Sequence, residues 1–418
     1  MKHPLDFEEF EPCDMATWHS LVKKELGDKS YDSLLWKDEN GIVIEPYLIR
    51  NENTILIPSN TRDNWQIAQT CVFEEDQKWN TSILDALQGG AQYITLDFQN
   101  HDNSILNIIL KEVHLEFISI RFINHPNPEK LLIEFHKIIV ERGLNINDIT
   151  GSILGKFSSN LQIESFLEFA IKNLPNFHLV EVNAAELHNK GANAVIEIAF
   201  ALSDGHQKLF ELIETGLSVK EANKLILFNL GVGSSYFVEI AKFRVLRQLW
   251  DFILSKYDSQ LAAEDKNFFV LAETSLRNQV EADIHNNILR ATTQCMSAVL
   301  GGADAVNVHA YNAVTGNADQ NSKRIARNIQ HLLIEESYLD QAINAADGSY
   351  YLLELQKQLS DKAWELFTQM EAQGGIKNSS GLIENLLSEI NTERELAIQK
   401  VKRVVVGLNK YQPSIHKA

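Results

Sequence analysis

Glu273, His309 and Tyr311 are side chains of the kinds that pass protons: a carboxylate, an imidazole and a phenol. They lie apart in the chain, so any acid–base chemistry needs a fold that gathers them. His188 is another imidazole, within the polar stretch Asn183-Ala184-Ala185-Glu186-Leu187-His188-Asn189-Lys190-Gly191. Further polar groups stand at Glu74-Glu75-Asp76, Asn100-His101, Asn124-His125, Lys156 and Arg277-Asn278. The acidic run reads most simply as a solvated turn. His101 and His125 lack partners at metal-ligand spacing, which argues against a metal site. Gly231-Val232-Gly233 could open a helix beneath a phosphate, but the same glycines also serve tight packing.

A repeating pattern would position these residues. From about residue 65, short apolar runs alternate with longer helical patterns through eight cycles. The strand candidates are 66–73, 93–98, 117–123, 149–154, 178–182, 224–230, 267–273 and 305–309. Helical patterns such as 129–140, 162–173, 194–214, 236–256 and 282–300 lie between them. Each helix carries the chain back along the sheet, so the strands must run parallel. The expectation is an α/β fold, a (β/α)8 TIM barrel, with helices over 351–373 and 382–404 packed outside it. A doubly wound open sheet is the alternative that strand count leaves open. Barrel chemistry sits after the carboxyl ends of the strands, where the polar residues named above fall. Polar strand ends are also expected on any barrel.

Residues 1–60 precede this rhythm as an N-terminal extension, and 61–410 form the barrel domain. Trp18, Leu21, Val22 and Leu26 fall at helical spacing, and residues 34–57 read as extended arms and hairpins. A formal net charge of −18 opposes binding to nucleic acid or to an anionic membrane surface. Three scattered cysteines, Cys13, Cys71 and Cys295, suit a reducing compartment. The acidic N-terminus has no apolar signal segment, and no apolar run approaches a membrane span. A cytoplasmic location is therefore expected.

Residues 324–375 carry an ordered set of motifs: Arg324-Ile325-Ala326-Arg327-Asn328, Glu335-Glu336-Ser337, Gly348-Ser349-Tyr350-Tyr351, and Glu371 ahead of Gly374-Gly375. This set resembles the end of the barrel domain in the methylmalonyl-CoA mutase family. The chain departs at Asn344-Ala345-Ala346-Asp347, where the family has Asp-Pro-x-Gly. Gly231-Val232-Gly233 and Ser297-Ala298-Val299-Leu300-Gly301-Gly302 also resemble the shared scaffold. The likeness is strongest from Gly191 onward.

The resemblance implies that catalytic relatives bind adenosylcobalamin and an acyl-CoA and move the thioester group by radical chemistry. Their fifth strand ends in a segment like S-G-Y-H-M-Q-E-A-G-A, whose Tyr and His contact substrate. Anchoring on Gly191-Ala192 puts Ala185 at that Tyr and Glu186 at that His. Alanine cannot hydrogen-bond, and a carboxylate beside a thioester carbonyl opposes developing negative charge. A slipped register would make His188 the catalytic imidazole, but its spacing to Gly191 argues against this. The family's R-T-H-S-Q-T-like run falls on residues 269–274, with Phe269 and Leu271 at its Arg and His. Its G-P-Y-x-T-M-Y-like stretch falls on residues 59–66, which contain no tyrosine. The family's cobalamin module carries D-x-H-x-x-G. Asp204-Gly205-His206 and Asp283-Ile284-His285 lack its glycine.

The resemblance thus implies a small, non-catalytic subunit of an adenosylcobalamin-dependent mutase heterodimer that interconverts succinyl-CoA and methylmalonyl-CoA. Ala185, Glu186 and Phe269 are the expected degenerate positions at the barrel mouth. This chain is expected to carry no catalytic residue, no metal, no cobalamin and no C-terminal cobalamin domain. A larger catalytic subunit would bind the cofactor, and alone this chain could pair with a second copy. Two alternatives stay open. One is an active acyl-CoA mutase barrel served by a separate cobalamin-binding subunit, with His188 in play. The other is an unrelated TIM-barrel enzyme using Glu273, His309 and Tyr311.

Overall fold

Parallel strands enclosed by helices are buried on both faces, so they read as near-continuous apolar runs. The computed structural model describes residues 14–49, 64–102, 105–153, 160–316, 318–341 and 344–413. Its strands are β1 (Gln66–Val72), β2 (Tyr93–Asp97), β3 (Ser119–Ile123), β4 (Thr150–Ile153), β5, β6 (Ile226–Val232), β7 (Phe269–Thr274) and β8 (Ala305–Asn307). β5 is split into Phe177–His178 and Val180–Asn183. β6 shows the rule plainly, since every one of its residues is buried.

Each expected strand is present, and all neighbours pair in parallel. β1 joins β8, so the first and last strands are neighbours, as a barrel requires and a doubly wound sheet does not. The first piece of β5 pairs with β4 and the second with β6. The ring therefore passes through one interrupted strand. The break falls at Leu179, where the N–H groups of both Leu179 and Val180 bond the Leu225 carbonyl.

Helix starts are written locally. Asn127 caps Pro128–Glu141 with Pro at the first turn, Asn193 caps Ala194–Glu214, and Ser349 caps Tyr350–Ala372. The last pattern overran its helix, which ends at Gln399 instead of near residue 404. Asn409 decides this: its amide bonds the Ile398 and Arg403 carbonyls and its oxygen accepts from Val405, folding the chain back.

The motifs at 324–375 hold this scaffold together. Arg327 donates to Gln69 on β1 at 2.6 Å and to Asp85 at 3.3 Å. Gln330 accepts from the Trp65 indole and donates to the Val306 carbonyl on β8. Glu371 accepts from Ser203 at 2.7 Å and meets His206 at 2.9 Å, tying two outer helices together.

Part of the N-terminal extension packs on the barrel. The antiparallel pair Trp36–Lys37 and Val43–Ile44 exchanges two bonds with Gln358, and Asn40 accepts from Ala194 N–H. Met15–Leu26 is a helix, but none of its residues is buried, and Leu21 is 51% exposed. Residues 50–57 of the expected hairpin region lie outside the described residues. Among the described residues, no helix is long and apolar enough to cross a membrane.

Candidate functional site

Alternate residues of each barrel strand face the axis. Toward the amino ends of the strands, Tyr93 stacks on Phe269 with ring centroids 5.6 Å apart. Ala68, Leu227, Leu271 and Ala305 complete a buried apolar layer with them. Burial pushes the Tyr93 phenol up to about 12. Phe269, expected at the mouth, is the first residue of β7 and lies at the opposite end. There it lines a cavity of about 370 Å³ with Gln66, Ser119 and His178.

Above this layer the axis turns ionic. Arg121 on β3 grips Glu181 on β5 through two bonds, of 2.9 and 2.5 Å. Its third nitrogen lies 3.5 Å from Glu273 on β7. Asn229 on β6 donates to Glu273 at 3.0 Å and to Glu181 at 3.3 Å. Burial alone would lower the Arg121 pKa, but the Glu181 and Glu273 charges outweigh it and raise it. Burial likewise pushes the Glu273 carboxyl up, but His309 and Arg121 overcome that and hold it down at about 2.

A second cavity, of about 330 Å³, opens at the carboxyl ends, lined by Thr70, Arg121, Glu273, Asn307 and His309 among others. Among the residues described, none lines both cavities. His309 Nε2 lies 3.5 Å from Glu273 Oε2, a long ion-pair contact. The fold therefore unites Glu273 with His309. Tyr311 stays apart, its ring stacked on His285. A carboxylate held near pKa 2 is a poor proton acceptor at neutral pH, so Glu273 serves better as a counter-ion than as a general base.

The degenerate pair lies on Ala184–Asn189, a short helix directly after β5. Ala185 is buried, whereas the Glu186 side chain is 61% exposed and pairs with Lys190. His188 is buried on the same helix, with Nδ1 3.0 Å from Glu197, which also accepts from Lys242 at 2.8 Å. A Cβ on Gly231 would stand 2.4 Å from the His188 ring, so this glycine exists for close approach. His101 stacks on Phe73, and His125 bonds the Asn127 backbone. Lys156 and residues 59–63 lie outside the described residues.

Arg121, Glu181 and Asn229 escaped the sequence reading because it looked only at strand ends. Their signal was available: each is a polar residue at mid-strand in a run destined for burial, where an unpaired charge is costly.

Among the described residues, no three His, Cys, Asp or Glu side chains gather as metal ligands do. The two D-x-H histidines are engaged elsewhere. His206 is held between Glu371 and the Tyr257 hydroxyl, and His285 stacks on Tyr311. Gly205 lets its helix approach Phe228, 2.9 Å from where a Cβ would stand.

Parallel strands around a filled axis, with an ionic cluster beneath the carboxyl-end mouth, define a (β/α)8 barrel of the α/β class. Residues 133–418 match the sequence model of the family described as Methylmalonyl-CoA mutase, and the chain belongs to that family. Membership replaces the reading of an unrelated barrel enzyme. The chain is 29% identical to the methylmalonyl-CoA mutase small subunit of Porphyromonas gingivalis, over 97% of this chain and 71% of that one. It is 26% identical to the methylmalonyl-CoA mutase of Cereibacter sphaeroides, over 96% of this chain and 64% of that one. For the human mitochondrial methylmalonyl-CoA mutase the figures are 24%, 94% and 60%. The chain thus spans less than two thirds of the latter two. A chitinase domain from Pyrococcus furiosus overlays at a TM-score of 0.36 with 9% identity over 67% of this chain and 97% of that one, too weak a likeness to bear on the fold.

Proposed function

We propose that this chain is a small, non-catalytic subunit of a methylmalonyl-CoA mutase-type heterodimer in the cytoplasm, with adenosylcobalamin bound by a larger catalytic partner. The observation that carries this is the filled axis. A solvent-filled channel along the axis would favour an active mutase barrel, whereas here Tyr93 and Phe269 stack across one layer and Arg121, Glu181 and Glu273 lock the next. A packed centre with a bonded ionic cluster makes a stable scaffold. Ala185 and Glu186 fit the same reading, because neither can replace a Tyr–His pair beside a thioester. The likeness to a named small subunit supports it further.

Co-expression with the product of a neighbouring, longer mutase gene tests the proposal, followed by size exclusion and a succinyl-CoA/methylmalonyl-CoA assay. A one-to-one complex is expected, active only with the partner present. An absent heteromer together with isomerisation by this chain alone would overturn it.

A further inference from the structure

The carboxyl-end face of the barrel holds a second polar assembly, away from the axis. His188, Gly233, Ser234, Arg277 and Arg394 line a recess of about 20 Å³, together with the carboxylates Glu39 and Glu239. His188 is 5% exposed, and its Nε2 is buried without a hydrogen-bond partner. Nδ1 is committed to Glu197, so Nε2 is the nitrogen left for the recess. The helix Tyr236–Tyr257 starts at its edge, and its N-cap Ser235 makes no side-chain cap bond. That end brings the positive pole of a 22-residue helix to the recess.

The two arginines are short of counter-charge. Arg277 donates to the Ala192 carbonyl and to Asn391, both at 3.3 Å, and Arg394 donates to Asn278 at 3.0 Å. These bonds use a minority of the five donors each guanidinium carries. Both lining carboxylates are already taken, Glu39 by Arg403 and Glu239 by Lys242. Burial, then the charges of Arg277 and Arg403, press the Arg394 pKa down to about 10. This is the direction expected where cations crowd without enough anions.

We propose that this recess binds a small oxyanion of the phosphate or carboxylate class, with one oxygen seated against His188 Nε2 and its charge held by Arg277 and Arg394. The recess admits one water-sized group, which matches one oxygen, and the rest of the anion lies at the mouth beside Ser234. Seating an anionic oxygen there requires a proton on Nε2. The site does not depend on whether this barrel turns over a substrate.

Calorimetric titration of the full chain with sulfate, phosphate and acetate, at constant ionic strength set with chloride, tests the proposal. One saturable site is expected, at least tenfold weaker in Arg394→Gln. Ser234→Asp places a carboxylate at the exposed mouth without touching a buried group, and it should abolish binding. Tighter sulfate and phosphate than acetate would assign the tetrahedral class, and the reverse the carboxylates. No saturable binding, or binding in either variant equal to that of the wild type, would overturn the proposal.

Discussion

Arg121→Met should be the most damaging single change on the barrel axis. Arg121 is the cation that grips the Glu181 carboxylate, and it lies 3.5 Å from Glu273. Methionine fills similar space but leaves two carboxylates facing each other under Asn229. Unit charges about 4 Å apart interact by about 4 kcal/mol at an effective dielectric near 20. Breaking a buried pair from one side costs about 3–5 kcal/mol. The expected loss at pH 7 is therefore about 4 kcal/mol, read as a shift of the urea midpoint. At roughly 2 °C per kcal/mol the thermal midpoint falls about 8 °C. Glu181→Gln added to Arg121→Met should return about half the loss, because one stranded charge is gone. The sign with pH is also set. In the Arg121→Met variant, burial without the cation raises the carboxyl pKa values above their unfolded values. The deficit is then largest at high pH and shrinks on acidification as the carboxylates take up protons. A loss below about 1 kcal/mol, or strictly additive single and double variants, would refute the claim that this network locks the axis.

Three further outcomes follow from the same geometry. Glu273 is held at about 2 against an ordinary 4.5, so its stabilisation is complete above pH 4.5 and drains away toward pH 2, about 3 kcal/mol in all. Acid titrations followed by circular dichroism should show Glu273→Gln less stable than wild type at neutral pH, with the gap closing across that window. Gly231→Ala drives a methyl into the His188 ring and should cost about 1–3 kcal/mol in urea melts, while Gly381→Ala, with open space around it, should show no such loss. In a reconstituted complex, Glu186→Gln should leave turnover within about tenfold, or 1.4 kcal/mol, of wild type, since its exposed side chain pairs with the exposed Lys190. A larger fall with assembly intact would make this barrel catalytic.

The roles of the family-like motifs became clear only in three dimensions. Glu371, in sequence one member of a motif ahead of two glycines, ties its helix to Ser203 and His206 on the neighbouring one. Phe269 was read against a strand end because the motif it replaces sits at one, and the strand instead begins there. Residue spacing orders positions along a strand, but it does not say which end meets the mouth until the strand's first hydrogen bond is known. Tyr311 illustrates another limit: the last strand ends at Asn307, so His309 and Tyr311 both lie on the loop beyond it, and Tyr311 stacks on His285.

The sequence alone determined the strands, most helix starts and the family, because these follow from local information: apolar periodicity, capping side chains and an ordered set of motifs. Ring closure needed the tertiary structure, since β1 meets β8 only after all the crossovers are in place. The contents of the axis needed it too. Glu181 and Glu273 lie 60 and 152 residues from Arg121 along the chain, and no local rule links them. Their charges are tolerable inside the barrel only because the closed ring sets them within hydrogen-bonding reach of one another, and that distance is a property of the whole fold.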